Sequence, residues 1–313
     1  MDLRTRCLMS VKPSFRAMRT AWIVVVALAF GVGRADATLQ LDTKHIQRAV
    51  GFFYGSDASG HPNPTAELGT GFLLHIPSAQ KMGAFHVVLV TARHVVDPVW
   101  ACDGPVNPDF LFFRVNRRVP VNGISVEYIK IQLTNEGRRL WSHHSDDAVD
   151  VAVIQVTTEQ FQPQTNDVEP IRFRDLATQE ELDSLEIGDA VVSAGLVPQL
   201  FARSAKNVAF FKFGNISAIG EEEVQRPCRL GRGSRQARLW FLSGIFIPGN
   251  SGSPIFLNPG LAGVSFSNAR PMVIGLISGS VEGAAIGAVT SSQRIFEAVE
   301  SAHVSDVDLS RGR

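Results

Sequence analysis

The sequence is poor in cysteine and carries no excess of either charge. Only three of its 313 residues are cysteine, and 30 lysines and arginines balance 30 aspartates and glutamates. So few cysteines exclude a small disulfide-rich scaffold, and the lack of a basic surplus argues against a general nucleic-acid-binding protein. The sequence also contains no internal repeat and no low-complexity tract, so we do not expect a repeat architecture.

The apolar run near the amino end is too short for a transmembrane helix. Residues 21–32 (AWIVVVALAFGV) are uncharged, but about 20 residues are needed to cross a bilayer. Five basic residues precede the run, and the small-x-small pattern of residues 35–37 (ADA) follows it. This order predicts a signal peptide over residues 1–37, cleaved after Ala37, and an exported protein that is periplasmic or secreted. The alternative is an uncleaved membrane anchor.

Removal of residues 1–37 changes the charge and the cysteine count. Six of the 30 basic and two of the 30 acidic residues lie in this segment, so 24 and 28 remain, a net charge of −4. Cys7 is removed as well. The remaining Cys102 and Cys228 would form one disulfide in an oxidising compartment, or stay two unpaired buried thiols, because sequence does not give the distance between them.

Short apolar or alternating runs, broken by Gly, Pro, Asn and Asp, dominate the chain from about residue 48 onward. This pattern is typical of an all-β barrel or sandwich. Residues 175–186 and 291–302 are predicted to be helical, the second with Ile295, Phe296 and Val299 on one face. The polar stretch 157–186 divides the strands into two groups of comparable number.

Three positions, in the order His, Asp, Ser, could form one catalytic site. His94 follows the buried strand FHVVLVTA, where a side chain would be held rigidly as a general base must be. Asp150 opens a run of β-branched residues, so its carboxylate needs a hydrogen-bond partner such as a histidine; Asp146 and Asp147 lie in the polar loop before it. Ser251 stands between two glycines in IPGNSGSPIF.

These positions lie in motifs that resemble those of the chymotrypsin-like serine peptidases. TARHV at 91–95 is similar to Thr-Ala-x-His, DVAV at 150–153 to Asp-x-Ala, and GNSGSP at 249–254 to Gly-Asp-Ser-Gly-Gly-Pro. The likeness extends to the bacterial trypsin-like branch that includes the Deg/HtrA peptidases. Four further segments resemble barrel strands of that branch: GTGFLL at 69–74, IGDAVVSAGLVP at 187–198, FGNISAI at 213–219 and VIGLISG at 273–279.

Three residues depart from the family pattern, and none removes a catalytic atom. Asn250 stands where many members have Asp, Ser253 replaces a Gly, and Arg93 replaces a small residue. The segment after Val304 is too short for a PDZ domain, so we expect the PDZ domains of the Deg peptidases to be absent.

The resemblance implies a fold for the whole of residues 38–303. It comprises two six-stranded antiparallel β-barrels and a C-terminal helix. The expected segments are a first barrel over about 46–156, a connector over 157–186, a second barrel over about 187–290, the helix over 291–302 and a tail over 304–313.

The resemblance also implies the roles of individual residues. Ser251 would be the nucleophile, His94 the general base and Asp150 the acid that orients it, while the N–H groups of Gly249 and Ser251 would form the oxyanion hole. Peptide or protein substrates would pair with a strand at Ser278, Gly279 and Ser280. Ile245 would form the floor and Ser280 the wall of an apolar pocket for the side chain before the scissile bond.

Other features predict less. Arginines recur at every third position from Arg226 to Arg238, which indicates a solvated surface loop or a site for an anionic envelope component. We expect no metal and no cofactor, since HHSDD at 143–147 lacks metal-ligand spacing. The sequence therefore predicts an exported serine endopeptidase. The alternatives are a catalytically silent binding module and an esterase with the same chemistry.

Overall fold

The computed structural model describes residues 42–309 except positions 158, 198–203, 229–232, 259–271, 282–283, 303, 305 and 308. The predicted signal peptide and residues 310–313 lie outside the described residues. Among the described residues, no helix is both long enough and apolar enough to cross a bilayer.

The first part of the described chain forms an eight-stranded sheet. Its strands are β1 (Val50–Ser56), β2 (Pro62–Pro77), β3 (Phe85–Thr91), β4 (Phe110–Val121), β5 (Ile124–Gln132), β8 (Trp141–His143), β9 (Ala152–Val156) and β10 (Ile171–Arg172). The order is β5-β4-β1-β2-β3-β9-β8, and β10 pairs in parallel with β2. The short strands β6 (Thr134–Asn135) and β7 (Arg138–Arg139) pair with each other.

The second part forms a closed six-stranded barrel. Its strands are β11 (Ala190–Gly195), β12 (Phe210–Pro227), β13 (Ser234–Ser243), β14 (Pro254–Leu257), β15 (Val273–Val281) and β16 (Ile286–Ser291). They pair in the order β11-β12-β13-β16-β15-β14. The prediction of a six-stranded second barrel is therefore confirmed.

The first unit differs from the predicted six strands. Six strands carry the predicted pattern, and β8 and β10 extend the sheet. Both additional strands have only two or three residues, too few to show an alternating pattern in the sequence. Among the described residues, no pairing between β5 and β8 closes this sheet into a hydrogen-bonded ring.

Within the described part of the chain, four α-helices flank the sheets: α1 (Thr43–Ala49), α2 (Arg93–Val96), α3 (Gln179–Asp183) and α4 (Ser292–Ser301). The predicted helix over 175–186 is shorter than expected, because Thr178 caps α3 through a reciprocal bond with Glu181 and so fixes its start. A 3₁₀ turn over Phe173–Asp175 precedes it. Helix α4 agrees with its prediction.

Large apolar side chains of the first sheet form a buried core that continues into the barrel. Phe52, Phe53, Phe72 and Phe113 have no exposed surface, and the same cluster includes Phe256 of β14. The predicted apolar face of α4 packs on this cluster as well. Burial of aromatic side chains is the main source of stability in such a core, and it fixes the two strand units against each other.

Candidate active site

The pairing of β3 with β9 brings His94 and Asp150 together. Thr91, the last residue of β3, is paired with Ala152, the first residue of β9, and the two candidates lie just beyond these ends. His94 Nδ1 is 2.8 Å from Asp150 Oδ2, and the backbone N–H of His94 donates to Asp150 Oδ1 at 3.0 Å. Two contacts to one carboxylate fix the orientation of the imidazole.

Asp150 is completely buried, yet it is held as a carboxylate. Burial alone raises its pKa, but the charge and hydrogen bond of His94 and the charges of Arg226 and Arg235 outweigh burial and keep the pKa of Asp150 well below its ordinary value. Arg226 Nη1 lies 3.4 Å and Arg235 Nη2 lies 3.9 Å from Asp150 Oδ2. The site therefore contains a buried anion with three cationic or polar neighbours.

Ser251 lies in a tight turn just before β14, and its two flanking glycines are required there. Gly249 has φ 92° and Gly252 has φ 86°, in the left-handed region that favours glycine. A Cβ at Gly252 would also lie 2.0 Å from the carbonyl oxygen of Thr70. A larger residue at Gly252 would therefore collide with β2, and one at Gly249 would strain the backbone of the turn.

Thr70 of β2 clamps the Ser251 turn, a role that sequence reasoning did not assign. Its N–H donates to Ser251 O and its hydroxyl to Gly249 O, both at 2.7 Å. Thr91 in turn donates from Oγ1 to Thr70 O at 2.7 Å. The neighbouring Gly69 permits the approach, because a Cβ there would lie 2.9 Å from Ser251 O. The feature of the sequence that could have indicated this role is the threonine between two glycines in GTGFLL.

The side chain of Asn250 orders the same turn. Its Oδ1 accepts from Lys212 Nζ and from the N–H of Ile247, the second at 3.1 Å, and its Nδ2 donates to Leu196 O at 2.6 Å. An aspartate has no hydrogen to donate to Leu196 O. Asparagine in place of the family's aspartate thus supplies the hydrogen-bond donor for the carbonyl of Leu196.

The deprotonation of Lys212 at alkaline pH offers a test of its bond to Asn250. Burial lowers the pKa of Lys212 to about 8. Since an unfolded lysine titrates near 10.4, the folded state favours the neutral amine, and the free energy of unfolding should rise between about pH 8 and 10. Over the same range Lys212 loses the charge that strengthens its bond to Asn250, so we expect kcat to fall above about pH 8.

Lys212→Met should lower kcat at pH 7 and abolish this alkaline decline, as measured by pH profiles between pH 7 and 10. Lys206→Met is the matched control and should keep the wild-type pH profile, because Lys206 is exposed in the segment just before β12. An unchanged alkaline limb in Lys212→Met would contradict the assignment.

A cleft of about 460 Å³ contains both His94 and Ser251. Of the predicted binding residues, Gly249, Gly279 and Ser280 line it. Ser278 lies buried behind this surface, with its Oγ 2.6 Å from Thr290 Oγ1. The other described residues that line it are Gly55, Glu67, Leu68, Val95, Pro98, Asp103, Pro108, Leu111, Arg226, Ile247, Pro248 and Ile277.

Ile245 does not lie where the sequence predicted. Its side chain is 74% exposed and is not part of the cleft wall. The next residue, Phe246, packs inward instead, and a Cβ at Gly287 of β16 would lie 2.5 Å from its ring. The aromatic ring buries more apolar surface than isoleucine and fits over a residue without a side chain. The expected pocket floor at Ile245 is therefore corrected.

The arginines of the β12–β13 hairpin contact the protein itself. Arg238 pairs with Asp146 at 2.7 Å and with Glu223, and Arg235 lies over the ring of Trp100 at 3.7 Å. Arg229 and Arg232 lie outside the described residues. The described arginines match neither a purely solvated loop nor a free site for an anionic envelope component.

Arg93, which replaces a small residue of the family pattern, anchors the loop after α2. It is buried, pairs with Asp147 at 2.7 Å and Asp97 at 3.2 Å, and lies 4.4 Å from the ring centre of Trp100. Trp100 also donates from Nε1 to Asp147 O at 3.1 Å. These contacts hold the chain that follows His94.

A disulfide joins Cys102, in that loop, to Cys228 at the end of β12, with the Cα atoms 5.0 Å apart. The bond closes a loop of 126 residues between the two strand units. A loop of this length should make the disulfide worth about 2–5 kcal/mol. We expect the Cys102→Ser, Cys228→Ser double variant to lose this amount in urea unfolding; equal unfolding midpoints would show that the bond contributes nothing.

Comparison with known families identifies this arrangement. The trypsin-like peptidase domain matches residues 69–261, which is more than half of the chain and includes all three candidate catalytic residues. The chain belongs to the trypsin-like peptidase family. This trypsin-like peptidase is a serine peptidase, a hydrolase that acts on peptides or proteins, and the family predicted from the motifs is confirmed.

Two solved structures with a similar fold are distant from this chain in sequence. The active form of the protease Rv3671c from M. tuberculosis is 14% identical, with 99% of this chain and 96% of that chain covered and a TM-score of 0.43. Deg5 is 13% identical, with 85% and 93% covered and a TM-score of 0.49. Scores this low carry no inference about this chain. The predicted all-β, chymotrypsin-like fold class is confirmed by the strand order and the family match. No protein of curated function matches the sequence.

The described residues offer no group of three or more His, Cys, Asp or Glu side chains placed to hold a metal ion. His144, from the HHSDD segment, instead lies 2.6 Å from Glu297 of α4.

Proposed function

We propose that this trypsin-like peptidase is an exported serine endopeptidase that works through an acyl-enzyme on Ser251. The Oγ of Ser251 bonds to the substrate carbonyl carbon, its proton passes to His94, and His94 then delivers the proton to the leaving amine as the peptide bond breaks. Water releases the acyl group by the same steps. The observation that carries this proposal is the contact of 2.8 Å between His94 and the buried Asp150, with His94 and Ser251 lining one cleft.

The N–H groups of Gly249 and Ser251 would stabilise the oxyanion that forms in each step. The turn that carries them is held by Thr70 and Asn250, and preorganised donors of this kind are each worth about 10²–10³ in rate. Because Lys212 already supplies an ammonium to Asn250, the enzyme would need no newly cut amino terminus to order this turn.

Substrates would bind as an extended strand against Ser278, Gly279 and Ser280 of β15. An apolar side chain before the scissile bond is favoured, since Val95, Ile247 and Ile277 give the cleft an apolar wall next to Ser251. A charged lysine or arginine against this apolar wall would lose hydration.

Export rests on the predicted signal peptide. We propose cleavage after Ala37 and a periplasmic or secreted enzyme, and a disulfide between Cys102 and Cys228 suits an oxidising compartment. Amino-terminal sequencing of the mature protein should begin at Thr38; a mature protein that begins at Met1 would exclude cleavage.

Burst kinetics test the enzyme against the silent binding module. With a p-nitrophenyl ester, we expect one equivalent of p-nitrophenol per enzyme molecule in a rapid phase, followed by slower steady turnover. The absence of release would favour the binding module. Ester turnover without cleavage of any peptide would favour an esterase.

A further inference from the structure

The side chain of Arg226 reaches the edge of β15 at which substrate is proposed to bind. The residue belongs to the last part of β12, and its Nη1 donates to the carbonyl oxygen of Ser278 at 2.9 Å. The same nitrogen is 3.4 Å from Asp150 Oδ2. The side chain is 27% exposed and lines the cleft with His94 and Ser251.

The guanidinium of Arg226 also covers the neighbouring Gly279. A Cβ at Gly279 would lie 2.7 Å from Arg226 Nη2, so the two groups are in direct contact. An added peptide strand pairs through the backbone carbonyl and N–H groups of the strand that receives it. A substrate that pairs at Ser278 and Gly279 must therefore displace the Arg226 side chain.

Among the described residues, the one carboxylate paired with Arg226 is that of Asp150, which other groups share. Asp150 is already bound by His94 at 2.8 Å, and Arg235 lies 3.9 Å from the same Asp150 oxygen. Arg226 is the one lysine or arginine among the described residues that line the cleft. A guanidinium forms its strongest contacts as a bidentate pair with a carboxylate, and a substrate side chain in the cleft could supply that carboxylate.

Building on the proposed function, we propose that Arg226 is a specificity residue that binds an aspartate or glutamate on the acyl side of the scissile bond. The ion pair withdraws the guanidinium from Ser278 and frees the carbonyl for the substrate backbone. The acyl side is the relevant one because Arg226 contacts Ser278 and Gly279, where that part of the peptide pairs. A neutral peptide would have to break the contact between Arg226 and Ser278 without this replacement.

Matched peptides test this inference. From a peptide that the wild-type enzyme cleaves, pairs are made with Glu or Gln at the second, third or fourth residue before the scissile bond. For at least one position we expect kcat/KM to favour Glu by about tenfold or more, mainly through KM. Arg226→Gln should bring this ratio close to one and lower KM for the Gln peptide, whereas Arg226→Lys should retain part of the preference.

The Glu-to-Gln ratio separates specificity from a structural effect on Asp150, because a change in the catalytic groups alters both peptides alike. Arg238→Gln, in the same hairpin but paired with Asp146 and Glu223, should keep the wild-type ratio. A ratio near one at all three positions in wild type, or a wild-type ratio in Arg226→Gln, would overturn the inference.

Labelling of the same samples with a fluorophosphonate distinguishes the two ways of failing. Labelled, peptide-cleaving enzyme without a preference for Glu would reject the role of Arg226 alone. Enzyme that neither labels nor cleaves would reject the proposed function, and this inference with it.

Discussion

We expect Ser251→Ala to lower kcat by about four to six orders of magnitude while leaving the fold intact. The nucleophile and its base act as a unit, so loss of the hydroxyl leaves only the stabilisation provided by the oxyanion hole and binding. The turn itself is held by backbone and side-chain bonds from Thr70 and Asn250, and none of these contacts needs the Ser251 hydroxyl. Peptide hydrolysis measured beside urea unfolding separates the two effects.

Ser253→Ala is the matched control, two residues further along the same motif. The hydroxyl of Ser253 is buried and has no hydrogen-bond partner among the described residues, so its removal costs no bond. Activity within a few-fold of wild type is expected. If Ser253→Ala were inactive and Ser251→Ala active, Ser251 would not be the nucleophile.

Asp150→Asn should be the second most damaging change, with kcat lowered by about 10⁴. Asp150 Oδ2 accepts the hydrogen bond of His94 Nδ1 at 2.8 Å. An asparagine amide at this position would favour the wrong tautomer of His94 and would supply no negative charge to stabilise the imidazolium. Removal of the anion would also leave the nearby Arg226 and Arg235 without their shared carboxylate, so unfolding must be measured together with kcat.

Asp147→Asn controls for the loss of a nearby charge. The side chain of Asp147 is 77% exposed, and the acceptor oxygen that an asparagine keeps can still receive the Arg93 hydrogen bond. We expect kcat within a few-fold of wild type. A larger loss of kcat for Asp147→Asn than for Asp150→Asn would show that Asp150 is not the aspartate that orients His94.

Short motifs predicted much of the catalytic region because their neighbours in sequence are also their neighbours in space. His94 and Asp150 adjoin the ends of two strands, and the apolar and β-branched runs of those strands predicted where they end. The glycines around Ser251 likewise report a local backbone requirement. The orienting contact of the histidine depends on the pairing of β3 with β9, and the role of Asp150 in it was implied by the family resemblance.

Contacts between distant segments could not be predicted in this way. Lys212 and Arg226 lie on one long strand whose pairing with β13 contains register shifts, and only the fold brings them to Asn250 and Ser278. The error at Ile245 has a similar cause, because counting from Ser251 does not tell which of two adjacent apolar residues turns inward. The strands β8 and β10 were too short to leave a pattern.

Site-resolved labelling shows whether Ser251 is a nucleophile activated by His94 and Asp150. The mature protein is treated with a fluorophosphonate probe beside a known serine peptidase, and the modified residue is located by mass spectrometry of its peptides. One adduct is expected, on Ser251; it should form far more slowly in Asp150→Asn and be absent from Ser251→Ala. An unlabelled wild-type protein beside a labelled reference, or an adduct on another residue, would contradict this role of Ser251.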